Sequence, residues 1–188
     1  MLWDDFLNSI HRDWRGDGTA EDRLDDPAWF REWLHNQRLT PDNPLTEREL
    51  ASLKRLRALI HRMAEAFFVG GSPADEDLES LNKTMAQGAV VRKVIREEAS
   101  YSLSLASTAS RWPNIEAEIA ASFGKLMAEG ELSRIRICDN PSCLWVYYDD
   151  TKNRSKRYCD DKMCGNLMKV RRFRARRKAE SGQPSSEF

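Results

Sequence analysis

Cysteine is missing from most of this chain. All four cysteines lie between Cys138 and Cys164, and the other 161 residues contain none. Long apolar runs are missing too. No stretch of about 18 apolar residues occurs, so no membrane-spanning helix is expected. The start, "MLWDDFLNSIHRDW", is acidic and lacks a basic segment followed by an apolar core. It does not read as a secretory signal, and a cytoplasmic location is expected. Structural disulfides are uncommon there, and paired cysteines more often bind metal. No nucleophile–base pattern, open metal site or phosphate-binding glycine loop appears, since "GDG" and "VGGSP" are only breaks. An enzyme is therefore not expected.

Hydrophobic residues at 40% and charged residues at 32% of 188 residues fit one ordinary domain plus a small appendage. The net charge of zero hides an asymmetry. Residues 134–178 hold 14 Lys/Arg against 5 Asp/Glu, whereas residues 1–133 hold 16 against 23. A basic end of this kind is expected to meet a polyanion.

Helical periodicity dominates the first 133 residues. Leu2, Phe6, Ile10 and Trp14 recur every four positions, which predicts a helix over 2–14. Asp26 before Pro27 is a helix start, with Phe30, Trp33 and Leu34 on one face. Thr46 and Glu49 form a capping box ahead of an apolar stripe from Leu50 to Phe67. A shorter helix is predicted over 74–86 and another over 113–129. Between them, β-branched residues and alternation predict a hairpin with strands at about 89–96 and 100–107. Trp3, Trp14, Trp29, Trp33 and Trp112 are expected in the core of this first part rather than in a pocket.

The cysteines follow the pattern C-x4-C, 15 residues, C-x4-C: Cys138, Cys143, Cys159 and Cys164. Two loop-borne pairs of thiolates suit a tetrahedral Zn²⁺. All four positions would be filled by protein, so one structural ion is expected. His11, His35 and His61 lie outside this segment and are not expected as ligands. "RIRIC" predicts a short strand. "LWVYY" and "RYC" predict a hairpin joining the two pairs, and Cys164 is expected near the start of a helix. The arrangement is treble-clef-like. Trp145, Tyr147 and Tyr148 are expected around the metal site rather than stacked on bases.

From Lys169 to Lys178 seven of ten residues are Lys or Arg. At about 100° per residue, Val170 and Phe173 share a stripe with Asn166, bordered by Leu167, and this stripe is expected to pack on the hairpin. Lys169, Arg172 and Arg176 gather on one flank, and Arg171, Arg174 and Lys178 on the other. Arg177 points back near the stripe. Arg154, Lys156 and Arg157 add to the same positive field. A helix basic on both flanks suits a nucleic-acid groove.

The residues "RIRICDNPSCLWVYYDDTKNRSKRYCDDKMCGN" with the basic helix after them resemble the CGNR zinc-finger proteins, a bacterial family linked to stress-induced transcription regulation through an N-terminal ABATE domain. "DFLNSIH", "LTERELASLKRLRALIHRM" and "IEAEIAASFGKLM" are similar to that N-terminal part. The name-giving tetrapeptide Cys-Gly-Asn-Arg reads Cys164-Gly165-Asn166-Leu167 here. The resemblance implies DNA binding through the finger and transcriptional control, with an N-terminal domain that senses a signal or dimerises.

The expected fold is mainly α with a small β-hairpin. A multihelical domain over 1–133 precedes a four-cysteine zinc finger over 134–178 and a disordered polar tail over 179–188. DNA is the expected partner. An RNA-binding or ribosome-associated zinc protein and a module docking on an acidic protein are the rivals. A symmetric homodimer would enlarge the DNA contact. The effector, target site and sign of regulation are left open by the sequence.

Overall fold

The computed structural model describes residues 1–180. Of the expected disordered tail, residues 181–188 lie outside the described residues. In chain order the elements are α1 (Leu2–Leu7), β1 (Ile10–Arg12), β2 (Ala20–Asp22), α2 (Pro27–Asn36), α3 (Glu47–Phe68), α4 (Asp75–Met85), β3 (Val90–Arg96), β4 (Tyr101–Ser107), α5 (Trp112–Glu129), β5 (Ile135–Ile137), β6 (Val146–Tyr148) and α6 (Asn166–Glu180). The strands form three separate two-stranded pairs: β1 with β2, β3 with β4, and β5 with β6. The fold is therefore mainly α with small antiparallel pairs.

The chain separates into two units. One contains Met1–Ile10 and Asp22–Ser133. The other contains His11–Glu21 and the residues from Arg134 onward.

In the first unit the helix ends follow local side-chain chemistry. Asp26 accepts hydrogen bonds from the backbone N–H groups of Ala28 (2.9 Å) and Trp29 (3.3 Å), and Pro27 occupies the first turn of α2. The Thr46 hydroxyl accepts from Glu49 N–H, while the Glu49 carboxylate accepts from Thr46 N–H at 2.8 Å. This reciprocal pair holds the start of α3, where water would otherwise compete for the free N–H groups. Helix α5 packs against α1, α3 and α4. Trp3, Phe6, Leu53, Ile60, Met63, Ile119 and Phe123 are fully buried between these helices. Trp3 and Phe123 meet as a tilted ring pair at 5.5 Å, and Phe30 stacks on Trp112 at 5.9 Å. Trp29 lies nearer the surface than Trp3, Trp33 and Trp112, which are all buried.

The expected helix over 2–14 is much shorter. It stops at Leu7, and Asn8 forms its C-cap. The Ser9 hydroxyl donates to Phe6 O at 2.7 Å and so closes the last turn. From Ile10 the chain is extended. Leu2 and Phe6 thus share a helical face, but Ile10 and Trp14 do not continue it. The hairpin expected at about 89–96 and 100–107 is present as β3 and β4. Val94 faces Leu103 and Val90 faces Ser107 across it.

One polar arrangement lies beneath this unit. Arg57 on α3 is buried, and its guanidinium grips Asp22 with two bonds of 2.7 and 2.6 Å. It also donates to the Ser9 hydroxyl at 2.7 Å. Burial alone would raise the Asp22 carboxyl. The bonds and charge of Arg57 outweigh it and lower the group from 3.8 to about 2. A lowered carboxyl stabilises the fold above its unfolded value, and that contribution disappears as pH falls toward 2. Asp22→Ala is expected to destabilise the helical unit by about 2–3 kcal/mol, because it strands the Arg57 charge while the carboxylate itself is partly exposed. Urea unfolding followed by helix signal at pH 7 and pH 3 checks this. The variant should lose less stability between those pH values than the parent does.

Candidate metal centre and nucleic-acid interface

The second unit brings the cysteines together. Strands β5 and β6 pair antiparallel, with Ile135 opposite Tyr148 and Ile137 opposite Val146. The first cysteine pair lies in the loop they enclose. Cys138 N–H donates to Trp145 O at 2.9 Å, and Cys143 N–H donates to Asn140 O at 2.9 Å. Leu144 takes a left-handed φ of 54°, which turns the chain back into β6. The hairpin is therefore "IRI" against "VYY". The expected pairing of "LWVYY" with "RYC" does not form. The backbone around Arg157 meets the knuckle instead, where Asp139 N–H donates to Arg157 O at 2.9 Å.

Of the second pair, Cys159 immediately precedes Asp160, and Cys164 lies in a single wide turn, Asp161–Gly165, that opens directly into α6. Asp160 caps it by accepting from Met163 N–H at 2.6 Å. Cys164 sits one residue before Gly165 at the foot of the helix, as its position in the sequence implied. The helix N-terminus offers a partial positive charge to the sulfurs.

All four sulfurs lie within 4.8 Å of one another. Cys143 and Cys159 approach to 3.7 Å, and Cys159 and Cys164 to 3.9 Å. The thiols hydrogen-bond among themselves. Bonds from Cys143 and Cys159 pull Cys138 far below the usual thiol range. The same bond to Cys138, with its charge, pushes Cys143 and Cys159 up. Successive ionisation is thus resisted, and four thiolates at this spacing call for a cation at their centre. Four soft sulfurs with no water-facing oxygen or imidazole among them fit a tetrahedral zinc site. Tyr147 and Tyr158 are buried beside Cys138 and Cys164, while Trp14, Trp145 and Met168 pack around them.

Sequence reasoning passed over three residues of this unit. Asn140 is completely buried. Its amide donates to Trp14 O at 2.9 Å and to Cys164 Sγ at 3.4 Å. Asp149 is also completely buried. It accepts from Thr151 N–H (3.0 Å), the Thr151 hydroxyl (2.6 Å) and Lys156 N–H (3.0 Å), and so holds the loop 149–156. Burial would raise its carboxyl, yet these bonds outweigh it and lower the group. Lys152 lies on the same loop. A turn-rich acidic residue in "YDDTKNRSK" was the one available signal for Asp149; Asn140 and Lys152 had none.

The expected cations are distributed unevenly. Lys169, Arg172 and Arg176 line a shallow groove along α6 with Ala175. Arg174 is exposed, and Arg177 lies over the Phe173 ring at 5.9 Å. Lys178 is half-buried. A second groove is lined by Lys152, Lys156, Arg157 and Lys169, together with Thr151, Asn153, Ser155, Tyr158 and Asp161. Within it Arg157 pairs with Asp139 at 2.6 Å, and Lys156 lies over Tyr147 at 5.2 Å. Arg154 takes a left-handed φ of 51°, and its carbonyl accepts from Arg136. Arg171 is different: its guanidinium donates to Arg15 O at 2.8 Å. The expected inward stripe also moves. Val170 and Phe173 are 44% and 52% exposed, and the half-buried positions in the first two turns are Leu167, Met168 and Arg171. Met168 reaches the tyrosine–cysteine cluster, so the helix is rotated by about one residue from the face its apolar side chains implied.

A helical unit joined to a four-thiol finger with a basic terminal helix defines a zinc-finger protein of two parts. The family model ABATE, described as "Putative stress-induced transcription regulator", matches residues 2–130, and the CGNR zinc finger model matches residues 134–177. The chain belongs to the ABATE family and carries a CGNR finger. A search of curated proteins finds no match. Cys138, Cys143, Cys159 and Cys164 form the site for one structural Zn²⁺. Bound there, the ion neutralises the thiolates and cross-links the knuckle to the foot of α6.

Chelation is expected to abolish the near-ultraviolet circular dichroism of Trp145, Tyr147 and Tyr158, while most far-ultraviolet helix signal persists. Metal analysis should find one zinc per chain in the parent protein. Cys143→Ser should retain little zinc and show the same spectral loss without chelator.

Proposed function

We propose that this zinc-finger protein regulates transcription by binding duplex DNA through the finger, with the helical unit sensing a signal or dimerising. The observation carrying this reading is the continuity of exposed cations over the finger. Lys152, Lys156, Arg157 and Lys169 share one groove, and Lys169, Arg172 and Arg176 share the next. No acidic residue interrupts α6 before Glu180. Like charges this dense destabilise a helix by themselves, and phosphates relieve the repulsion. Arg174 and Arg176 are exposed, and Arg172 is exposed with its Nε on the Met168 carbonyl at 3.3 Å, so their outer guanidinium nitrogens can reach guanine edges as well as phosphates. Arg171 is expected to contribute least, because its guanidinium already serves the Arg15 carbonyl.

DNA affinity measured between about 50 and 200 mM salt should fall with a log–log slope near −4 to −5, for about five neutralised phosphates. Arg172→Ala and Arg176→Ala should each flatten the slope by about one. A slope near zero overturns the proposal. Preference for structured RNA over duplex DNA in competition would redirect it to RNA.

A further inference from the structure

The family finger begins at residue 134, yet the finger's unit contains a segment from near the other end of the chain, His11–Glu21. Three consecutive carbonyls of this arm each receive a side-chain donor from the finger. Asn140 donates to Trp14 O at 2.9 Å, Arg171 to Arg15 O at 2.8 Å, and Ser142 to Gly16 O at 3.2 Å. Trp14 also packs against the cluster of Cys138, Tyr147, Tyr158 and Cys164.

The arm is shaped for this contact. Asp13 N–H donates to Thr19 O at 2.9 Å, and Asp17 accepts from Thr19 N–H at 2.8 Å, which closes the loop. Gly18 has a φ of 79°, and a Cβ there would lie 3.4 Å from Ser142 Cα. A side chain at this position would therefore be strained in backbone and crowded by the finger.

We propose that the arm completes the metal centre, and that Asn140 is the positioning residue that couples the two. One Asn140 amide nitrogen serves both Trp14 O and Cys164 Sγ, and its oxygen accepts from Ser142 N–H at 3.2 Å. The amide is thus oriented by the arm and aimed at a ligand sulfur. An N–H donor to a thiolate stabilises its charge, and outer-shell donors of this kind set metal affinity. The Trp14 indole keeps water from the same sulfurs. By linkage, arm docking and metal binding strengthen each other by the same factor. Loss of the metal therefore releases residues 11–21, which begin a few residues after the end of α1.

The test uses the full chain loaded with Zn²⁺, or with Co²⁺ as a spectroscopic probe, and follows metal transfer to an excess of chromogenic chelator. Trp14→Ala and Asn140→Asp should release metal about 10–100-fold faster than the parent. Arg15→Ala keeps the carbonyl that Arg171 uses but removes the guanidinium that lies over the Trp14 ring at 4.7 Å, so its release rate should fall between those of the parent and Trp14→Ala. In the Co²⁺ protein, Asn140→Asp should shift the thiolate-to-metal charge-transfer band, which a purely structural role for Asn140 would leave in place. Hydrogen exchange of the parent provides an arm independent of any variant: amides of residues 11–21 should lose protection when metal is removed. Parent-like release from both variants, an unmoved band, or an arm that stays protected after chelation would each overturn the proposal.

Discussion

Four sulfurs within 4.8 Å of one another cannot all ionise unless a cation sits among them. The finger is organised around that constraint. Among the described residues its buried apolar side chains, cysteines aside, are Ile135 and Val146 on the hairpin, and Tyr147 and Tyr158 beside the thiols. A segment of this size cannot hold itself together by apolar burial, and a structural zinc contributes on the order of 10 kcal/mol. The knuckle after β5, which carries Cys138 and Cys143, and the stretch from Cys159 to the wide turn before α6, which carries the other two, are oriented by the need to deliver four sulfurs to a common point.

That arrangement decides what α6 can present. The helix is anchored at its foot by Cys164, Leu167 and Met168, and little beyond Arg171 is covered by the rest of the unit. Arg172, Arg174, Arg176 and Arg177 after that point are exposed, and Lys178 is half-buried. Arg171 is withdrawn from this set because it falls on the anchored side and meets the Arg15 carbonyl. The loop 149–156 is equally dependent on one buried carboxylate, since Asp149 holds its backbone and thereby places Lys152 and Lys156 in the same groove as Lys169.

The helical unit follows a different logic. It has an ordinary apolar core, and its polar centre is the Arg57–Asp22 pair. That pair ties α3 to the residue where the chain returns from the arm.

Much of this was legible in local sequence. The caps at Asp26 and Thr46, the apolar stripe of α3, the β3–β4 hairpin and the cysteine spacing each depend on residues a few positions apart, and each appeared where expected. Trp14 kept helical spacing with Leu2 and Phe6 yet left the helix, because Asn8 and Ser9 ended it and the indole found a larger apolar contact at the cysteines. Val170 and Phe173 looked like an inward stripe, but the position of Cys164 in the tetrad set the helix rotation and left them outside. Local sequence determined which elements form and which atoms hold the metal. Partners for β6, the exposed face of α6 and the docking of residues 11–21 were decided by tertiary structure, because each depends on where four distant sulfurs must meet.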